Sequence, residues 1–203
     1  MTPIHTHAIA AARVLAICGS LRRRSYNHAL LAAAAECAPP GMSVDLAEPL
    51  ADIPLFDEDL EQATAGGPDA VRRLRARVAA ADGLLIATPE YNQSMPGVLK
   101  NAIDWLSRPG PEEVLVGKPV AVIGASAGRW GTRLAQSTLR HVLVATEALV
   151  MPAPMLFLRD AATLFDQSGH LVHPGTREQL ARVLTSFAQW MALVTPSAGD
   201  ATV

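Results

Sequence analysis

The strongest constraint on this chain is a series of short apolar runs, each followed by a loop and then an amphipathic stretch. Residues 13–18, 83–87 and 118–124 are almost wholly apolar beyond their first positions. A strand that is apolar on both faces must be covered on both sides. That requirement fits a parallel sheet between helices and argues against a sheet with one wet face. The segments between them carry helical periodicity. Residues 26–37 place Ala29, Leu30, Ala33 and Cys37 on one face, with Ser25 as N-cap, and Pro39, Pro40 and Gly41 end the helix. From Pro68 onward, Val71, Leu74, Val78 and Ala81 face away from an arginine-rich side. Further helices are expected over the stretch carrying Val98, Leu99, Ala102, Ile103 and Leu106, from after Gly131 to about Ala145, and over 176–194. Residues 42–46 read as a weaker second strand and 148–151 as a short fifth one. Residues 49–67 read as a long connection.

A chain of 203 residues suits one domain with a real core, and an apolar share of 50% suits a deeply buried sheet. A net charge of −2 offers no global field for nucleic acid or an anionic membrane. No apolar stretch approaches the roughly 18 residues of a spanning helix, and residues 1–7 lack a basic segment before an apolar run. A cytoplasmic location is the default expectation. Cys18 and Cys37 cannot form a disulfide scaffold and read as buried thiols. Residues 1–11 and 197–203 are expected to be loose, leaving 12–196 as the domain.

In doubly wound α/β folds, ligands sit beyond the C-terminal ends of the strands, where the strand order reverses. Three unusual loops fall at such ends: 19–27, 88–96 and 125–132. In the first, Gly19 permits a tight exit from the strand, and the following helix N-terminus offers unpaired N–H groups. Ser20, Ser25, Tyr26 and Asn27 belong to this loop, and Arg22 can add a charge-assisted bond. The set suits a terminal phosphate monoester. It contains neither the Gly-x-x-x-x-Gly-Lys-Ser/Thr of a nucleotide P-loop nor a Gly-x-Gly-x-x-Gly. Arg23 and Arg24 read as a solvated cluster.

Ser20, Leu21, Arg22, Ser25 and Asn27, with Pro89-Glu90-Tyr91-Asn92 and the stretch from Ser94 to Trp105, resemble the two signatures of the NADPH-dependent FMN reductases. That family includes bacterial chromate and quinone reductases. The resemblance runs from about Arg13 to about Pro152. It implies a flavodoxin-like three-layer sandwich, a five-stranded parallel sheet of order 2-1-3-4-5, non-covalent FMN, and assembly into homodimers or homotetramers. It also implies that NAD(P)H reduces the flavin, which then passes electrons to a small acceptor: a quinone, chromate, an azo compound or free flavin. The cofactor carries such chemistry, so no catalytic side chain is required.

The resemblance sets Pro89, Glu90, Tyr91 and Asn92 against the flavin ring. From the residues alone, Tyr91 reads as evenly balanced between stacking on the flavin and serving as a core or subunit-contact aromatic. Glu90 reads as an ion-pair residue, and Lys100, Asn101 and Asp104 as a solvated helix face. The third loop, with Ser126, Ala127 and Gly128, borders the pyrimidine edge of the flavin in the resembled family. Thr132 replaces that family's last glycine.

Gly124-Ala125-Ser126-Ala127-Gly128 also matches the Gly-x-Ser-x-Gly elbow of serine hydrolases, with Asp160, His170 and His173 following. That rival leaves the other two loops unexplained and lacks an oxyanion loop upstream. A second rival, an electron carrier of flavodoxin type, is disfavoured by near-neutral charge and an aromatic content of 4%. His5-x-His7 and His170-x-x-His173 lack third ligands at metal spacing, so no metal is expected. Trp105, Trp130 and Trp190 read as packing or interface residues, with Trp130 placed to border the third loop.

Overall fold

The computed structural model describes residues 11–64, 66–108 and 113–195. The expected loose ends therefore lie almost wholly outside the described residues. Strands β1 (Ala12–Cys18), β2 (Met42–Leu46), β3 (Gly83–Ala87), β4 (Pro119–Ala125), β5 (Leu149–Val150) and β6 (Leu156–Leu158) form one sheet. The helices are α1 (Tyr26–Glu36), α2 (Glu58–Ala63), α3 (Asp69–Ala80), α4 (Gly97–Leu106), α5 (Arg133–Ala145) and α6 (Pro174–Val194). Every strand pairing is parallel, in the order β2-β1-β3-β4-β5. This is the order that the family resemblance implied.

The two-faced apolar strands separate two cores, because successive side chains point to opposite faces. Val14 and Ala16 of β1, Leu85 of β3 and Ile123 of β4 pack with Leu30 and Leu31 of α1 and Leu184 and Phe187 of α6. Leu15, Ile17, Leu84, Ile86, Val120 and Val122 pack on the other side against Leu74, Val78, Leu99, Ile103 and Leu139 of α3, α4 and α5. Each central strand thus has helices on both faces, which gives three layers.

Two expectations change. The fifth strand is split: β5 pairs with Pro119 and Val120, and β6 resumes the same edge opposite Ile123, Gly124 and Ala125. The excursion between them contains a cis Ala153–Pro154 bond. The connection over 49–67 is also not plain loop, since it holds a 3-10 turn at Leu50–Asp52 and helix α2. Helix α2 buries none of its residues and is capped by the Asp57 carboxylate, which accepts from the N–H of Asp59 at 2.8 Å. A helix without an apolar stripe leaves no periodic signal in the sequence.

Candidate functional site

Strand β1 connects through α1 to β2 on one side, and β3 connects through α4 to β4 on the other. The order therefore reverses between β1 and β3, where a crevice opens at the strand C-termini. The loops after β1, β3 and β4 converge there on a cavity of about 170 Å³. The first loop contributes Ser20, Arg22, Ser25, Tyr26 and Asn27, the second Pro89, Glu90 and Tyr91, and the third Ser126 and Ala127. Asn92 and Gly128, also expected at the site, are not among its lining residues. Ala125 lines it and was not expected. Ala125 ends an apolar run, and nothing in its identity marks a site.

The first loop is held by two side chains. Ser25 caps α1, its Oγ accepting from the N–H groups of Asn27 and His28 at 3.2 and 3.4 Å. Asn27 reaches across the crevice to β4: its Nδ2 donates to the Ala125 carbonyl and its Oδ1 accepts from the Ala125 N–H, both at 2.9 Å. Asn27 is buried, so this bridge works where water does not compete. Among the described residues, the N–H groups of Leu21, Arg23, Arg24 and Tyr26 have no partner. Arg22 is exposed, with Nη2 donating to the Arg24 carbonyl at 3.2 Å. Below the loop, the Cys18 thiol donates to the Ser20 carbonyl at 3.6 Å. Burial pushes its pKa up, so Cys18 stays protonated near neutral pH. Neither Cys18 nor Cys37 is fully buried, contrary to expectation; both are partly exposed.

The second loop folds as a tight turn. Tyr91 and Ser94 exchange N–H to carbonyl bonds at 3.0 Å, with Asn92 and Gln93 at φ 49° and 64° between them. Two consecutive left-handed residues are the mark of a type I′ turn. Tyr91 projects half-exposed at its base. Glu90 has a role the sequence did not reveal: its carboxylate accepts from the N–H groups of Leu134 and Ala135 at 2.8 and 3.0 Å. It caps the N-terminus of α5 from outside, with charge matched to the helix dipole.

The third loop is braced by backbone. Ser126 donates its N–H to the Leu158 carbonyl at 2.9 Å and accepts from the Ala161 N–H at 3.0 Å. Its Oγ accepts from the Gly128 N–H at 3.1 Å. Among the described residues, the Ala127 N–H alone in the 125–128 stretch has no partner. Gly131 takes φ 68°, which favours glycine, and Thr132 follows at the start of α5. Thr132 is fully buried against Gly124, where an added Cβ would overlap both the Thr132 hydroxyl and the Thr88 carbonyl. Gln136 Nε2 donates to Thr132 Oγ1 at 3.0 Å. The threonine in place of a glycine is thus accommodated by Gly124 and by Gln136, and the helix start is intact.

This geometry does not serve a serine nucleophile. Ser126 lies seven residues before α5, is not in a left-handed conformation, and is bonded through Oγ to a backbone N–H. His170 pairs with Asp166, and His173 caps α6 by accepting from the Thr176 N–H at 3.2 Å. Elsewhere, Trp105 and Trp190 are packing residues, donating to Pro54 and Leu149 carbonyls. Trp130 is 71% exposed, with the Arg129 guanidinium over its ring. Lys100 and Asp104 form an exposed ion pair, but Asn101 is buried. Its amide ties α4 to the connection before α2, accepting from Phe56 N–H and donating to Pro54.

A switch-point crevice with open N–H donors at a helix start defines an α/β cofactor-binding protein of flavodoxin-like architecture. Residues 12–163 match the model of the NADPH-dependent FMN reductases, and the chain belongs to that family. An NAD(P)H-dependent FMN reductase of Pseudomonas aeruginosa is 48% identical over 179 residues, covering 88% of this chain and 95% of the relative. A 2-hydroxy-1,4-benzoquinone reductase of a Burkholderia species is 40% identical, covering 89% of this chain and 97% of its own. Among solved structures, the flavoenzyme NAD(P)H:(acceptor) oxidoreductase FerB of Paracoccus denitrificans superposes with a TM-score of 0.81 at 34% identity. It covers 90% of this chain and 98% of its own. The chain is accordingly an oxidoreductase with FMN as cofactor and NAD(P)H as electron donor. No helix among the described residues is long and apolar enough to cross a membrane.

Proposed function

We propose that the three-loop cavity holds FMN and that the reaction reduces a small quinone. The observation that carries the placement is the first loop: Tyr26, whose N–H at the start of α1 has no partner among the described residues, lines the same cavity as Arg22 and as Ala127, whose N–H is likewise unpaired. Such a loop fits a dianionic phosphate monoester, because donors that have no internal partner gain one and the helix start favours negative charge. Ser20, Arg22, Ser25 and Tyr26 would hold the phosphate end, with Asn27 fixing the loop. Pro89, Glu90, Tyr91, Asn92, Ser126, Ala127 and Gly128 belong to the two loops that would border the ring.

Bound FMN supplies the electron chemistry, accepting reducing equivalents from NAD(P)H and releasing them to an acceptor. The chain's own residues position it. Glu90 keeps α5 and the second loop at fixed separation, and Ser126 keeps the third loop braced on β6. Quinone as acceptor is supported by the relative that reduces 2-hydroxy-1,4-benzoquinone. Chromate, azo compounds and free flavin are the other acceptors that such a site can serve. Residues 12–196 would act as one domain, in a homodimer or homotetramer. The exposed apolar side chains of Tyr91, Trp130 and Leu134, on or just after the second and third loops, support assembly. A cytoplasmic location suits a consumer of NAD(P)H.

The test is heat release of the cofactor from purified protein, followed by chromatography, with quinone reduction assayed under NADH and NADPH. FMN in near-stoichiometric amount with turnover is expected. Recovery of FAD alone, or a colourless protein that takes up no FMN, overturns the reading. Light scattering at micromolar concentration checks assembly, and a monomer would refute that part.

A further inference from the structure

On its first-loop side the cavity adjoins a larger groove of about 570 Å³. One wall is the approach to α1 and its first turn, with Arg22, Arg23, Arg24 and His28. The other is the 165–170 turn, closed by pairing between Phe165 and Leu171. Arg22, Ser25 and Tyr26 line both spaces. At that shared boundary the rings of Tyr26 and Phe165 pack at a tilt of 30°, with centroids 5.7 Å apart, which gives the groove an aromatic floor.

The charges in this groove are unbalanced. Among the described residues, none of the three guanidinium groups has a carboxylate partner; the one contact is Arg22 to the Arg24 carbonyl. The two carboxylates at the rim are already engaged. Glu36 accepts from Arg177 Nη1 at 2.9 Å. Asp166 accepts from the His170 N–H at 2.8 Å and faces its ring at 3.3 Å. Three consecutive cations without a counter-ion repel one another, and an anion placed among them relieves that repulsion.

We infer that this groove receives the adenosine half of NADPH, with the 2′-phosphate on Arg23 and Arg24. The inference rests on the FMN placement proposed above. An electron donor whose nicotinamide enters the cavity must leave its adenosine half in a neighbouring space, and this groove shares three residues with the cavity. The 2′-phosphate is a dianionic monoester, which planar guanidinium groups bind with paired, charge-assisted bonds. NADH carries a hydroxyl there and gains nothing from the two arginines. Arg22 serves the cofactor site, while its two neighbours select the electron donor.

The test titrates FMN-loaded protein with adenosine 2′,5′-bisphosphate and with 5′-AMP by calorimetry, in the wild type and in an Arg23→Ala/Arg24→Ala double variant. The wild type is expected to bind the bisphosphate about tenfold or more tightly than 5′-AMP. The double variant should lose that preference, and Arg23→Lys/Arg24→Lys should keep part of it. The KM for NADPH should rise roughly in step in the alanine variant, with the KM for NADH changed by less than about twofold. Equal affinity for the two nucleotides in the wild type, or an unchanged preference in the alanine variant, overturns the assignment. FMN content and NADH-driven quinone reduction of the same preparations report on the cofactor site separately. If both are normal while the preference is absent, the groove assignment falls and the FMN placement stands.

Discussion

The first and third loops both leave a central parallel strand and run into a helix, but they hold their shape by opposite means. The first is fixed by side chains: Ser25 caps α1, and Asn27 clamps the loop to Ala125 across the crevice. The backbone N–H groups of Leu21, Arg23, Arg24 and Tyr26 are left without partners among the described residues. The third is fixed mainly through its backbone, the Ser126 N–H and carbonyl being bonded to Leu158 and Ala161, with one side-chain bond, from the Gly128 N–H to Ser126 Oγ. Among the described residues, only the Ala127 N–H remains without a partner between 125 and 128. A backbone donor serves either the fold or a ligand. The first loop is therefore the one equipped to bind a charged group, and the third the one equipped to act as a rigid wall.

The largest effect should come from removing the first loop's clamp. Asn27→Ala leaves the Ala125 N–H and carbonyl buried without partners, at a cost of about 2–4 kcal/mol. Urea unfolding of the apoprotein should show that loss, and FMN affinity should fall with it. Unchanged unfolding would mean that the clamp does not hold the loop. Next comes the charge it presents. Arg22→Ala should weaken FMN binding by about 1.5–3 kcal/mol, roughly tenfold or more. Arg23→Ala and Arg24→Ala should each do far less. Equal, small losses across the three apoproteins would move the phosphate elsewhere.

On the third loop the effects should be mechanical. Gly131→Ala forces a side chain into a φ of 68°, with its Cβ against the Phe157 carbonyl carbon at 3.3 Å. A destabilisation of about 1–2 kcal/mol is expected, read from the thermal midpoint of the apoprotein. An unaltered midpoint would show that the loop is softer than its hydrogen bonds imply. The smallest effect is Ser126→Ala, which removes one neutral hydrogen bond, worth about 1 kcal/mol at most. Quinone reduction should persist, and a fluorophosphonate should leave wild-type Ser126 unlabelled. Stoichiometric labelling would give the loop a chemical role that its bracing does not explain.

The apolar runs and the 3.6-residue spacing were enough to locate four strands and most helices to within a residue or two. Local chemistry sufficed as well for Ser25, since a serine ahead of an apolar helical stripe has one common use. The strand order came from the resemblance of the two loop signatures, because periodicity says which face is buried and nothing about which strand is the neighbour. Ten of the twelve residues read as site residues line one cavity, since a loop at the end of a central strand has few other places to be.

What the sequence determined by itself is thus the local part: which segments are strands, which are helices, and which loops carry unusual polar residues. Their signals are periodic or confined to a few neighbours. Tertiary structure alone decided the rest. Glu90 caps a helix 44 residues away, and Asn27 bonds a strand end 98 residues away. The fifth strand breaks in two because β4 offers it pairing positions at Pro119–Val120 and again at Ile123–Ala125. A hydrogen bond between distant residues has no period and no required spacing. It exists only once the sheet has brought its two ends within about 3 Å of each other.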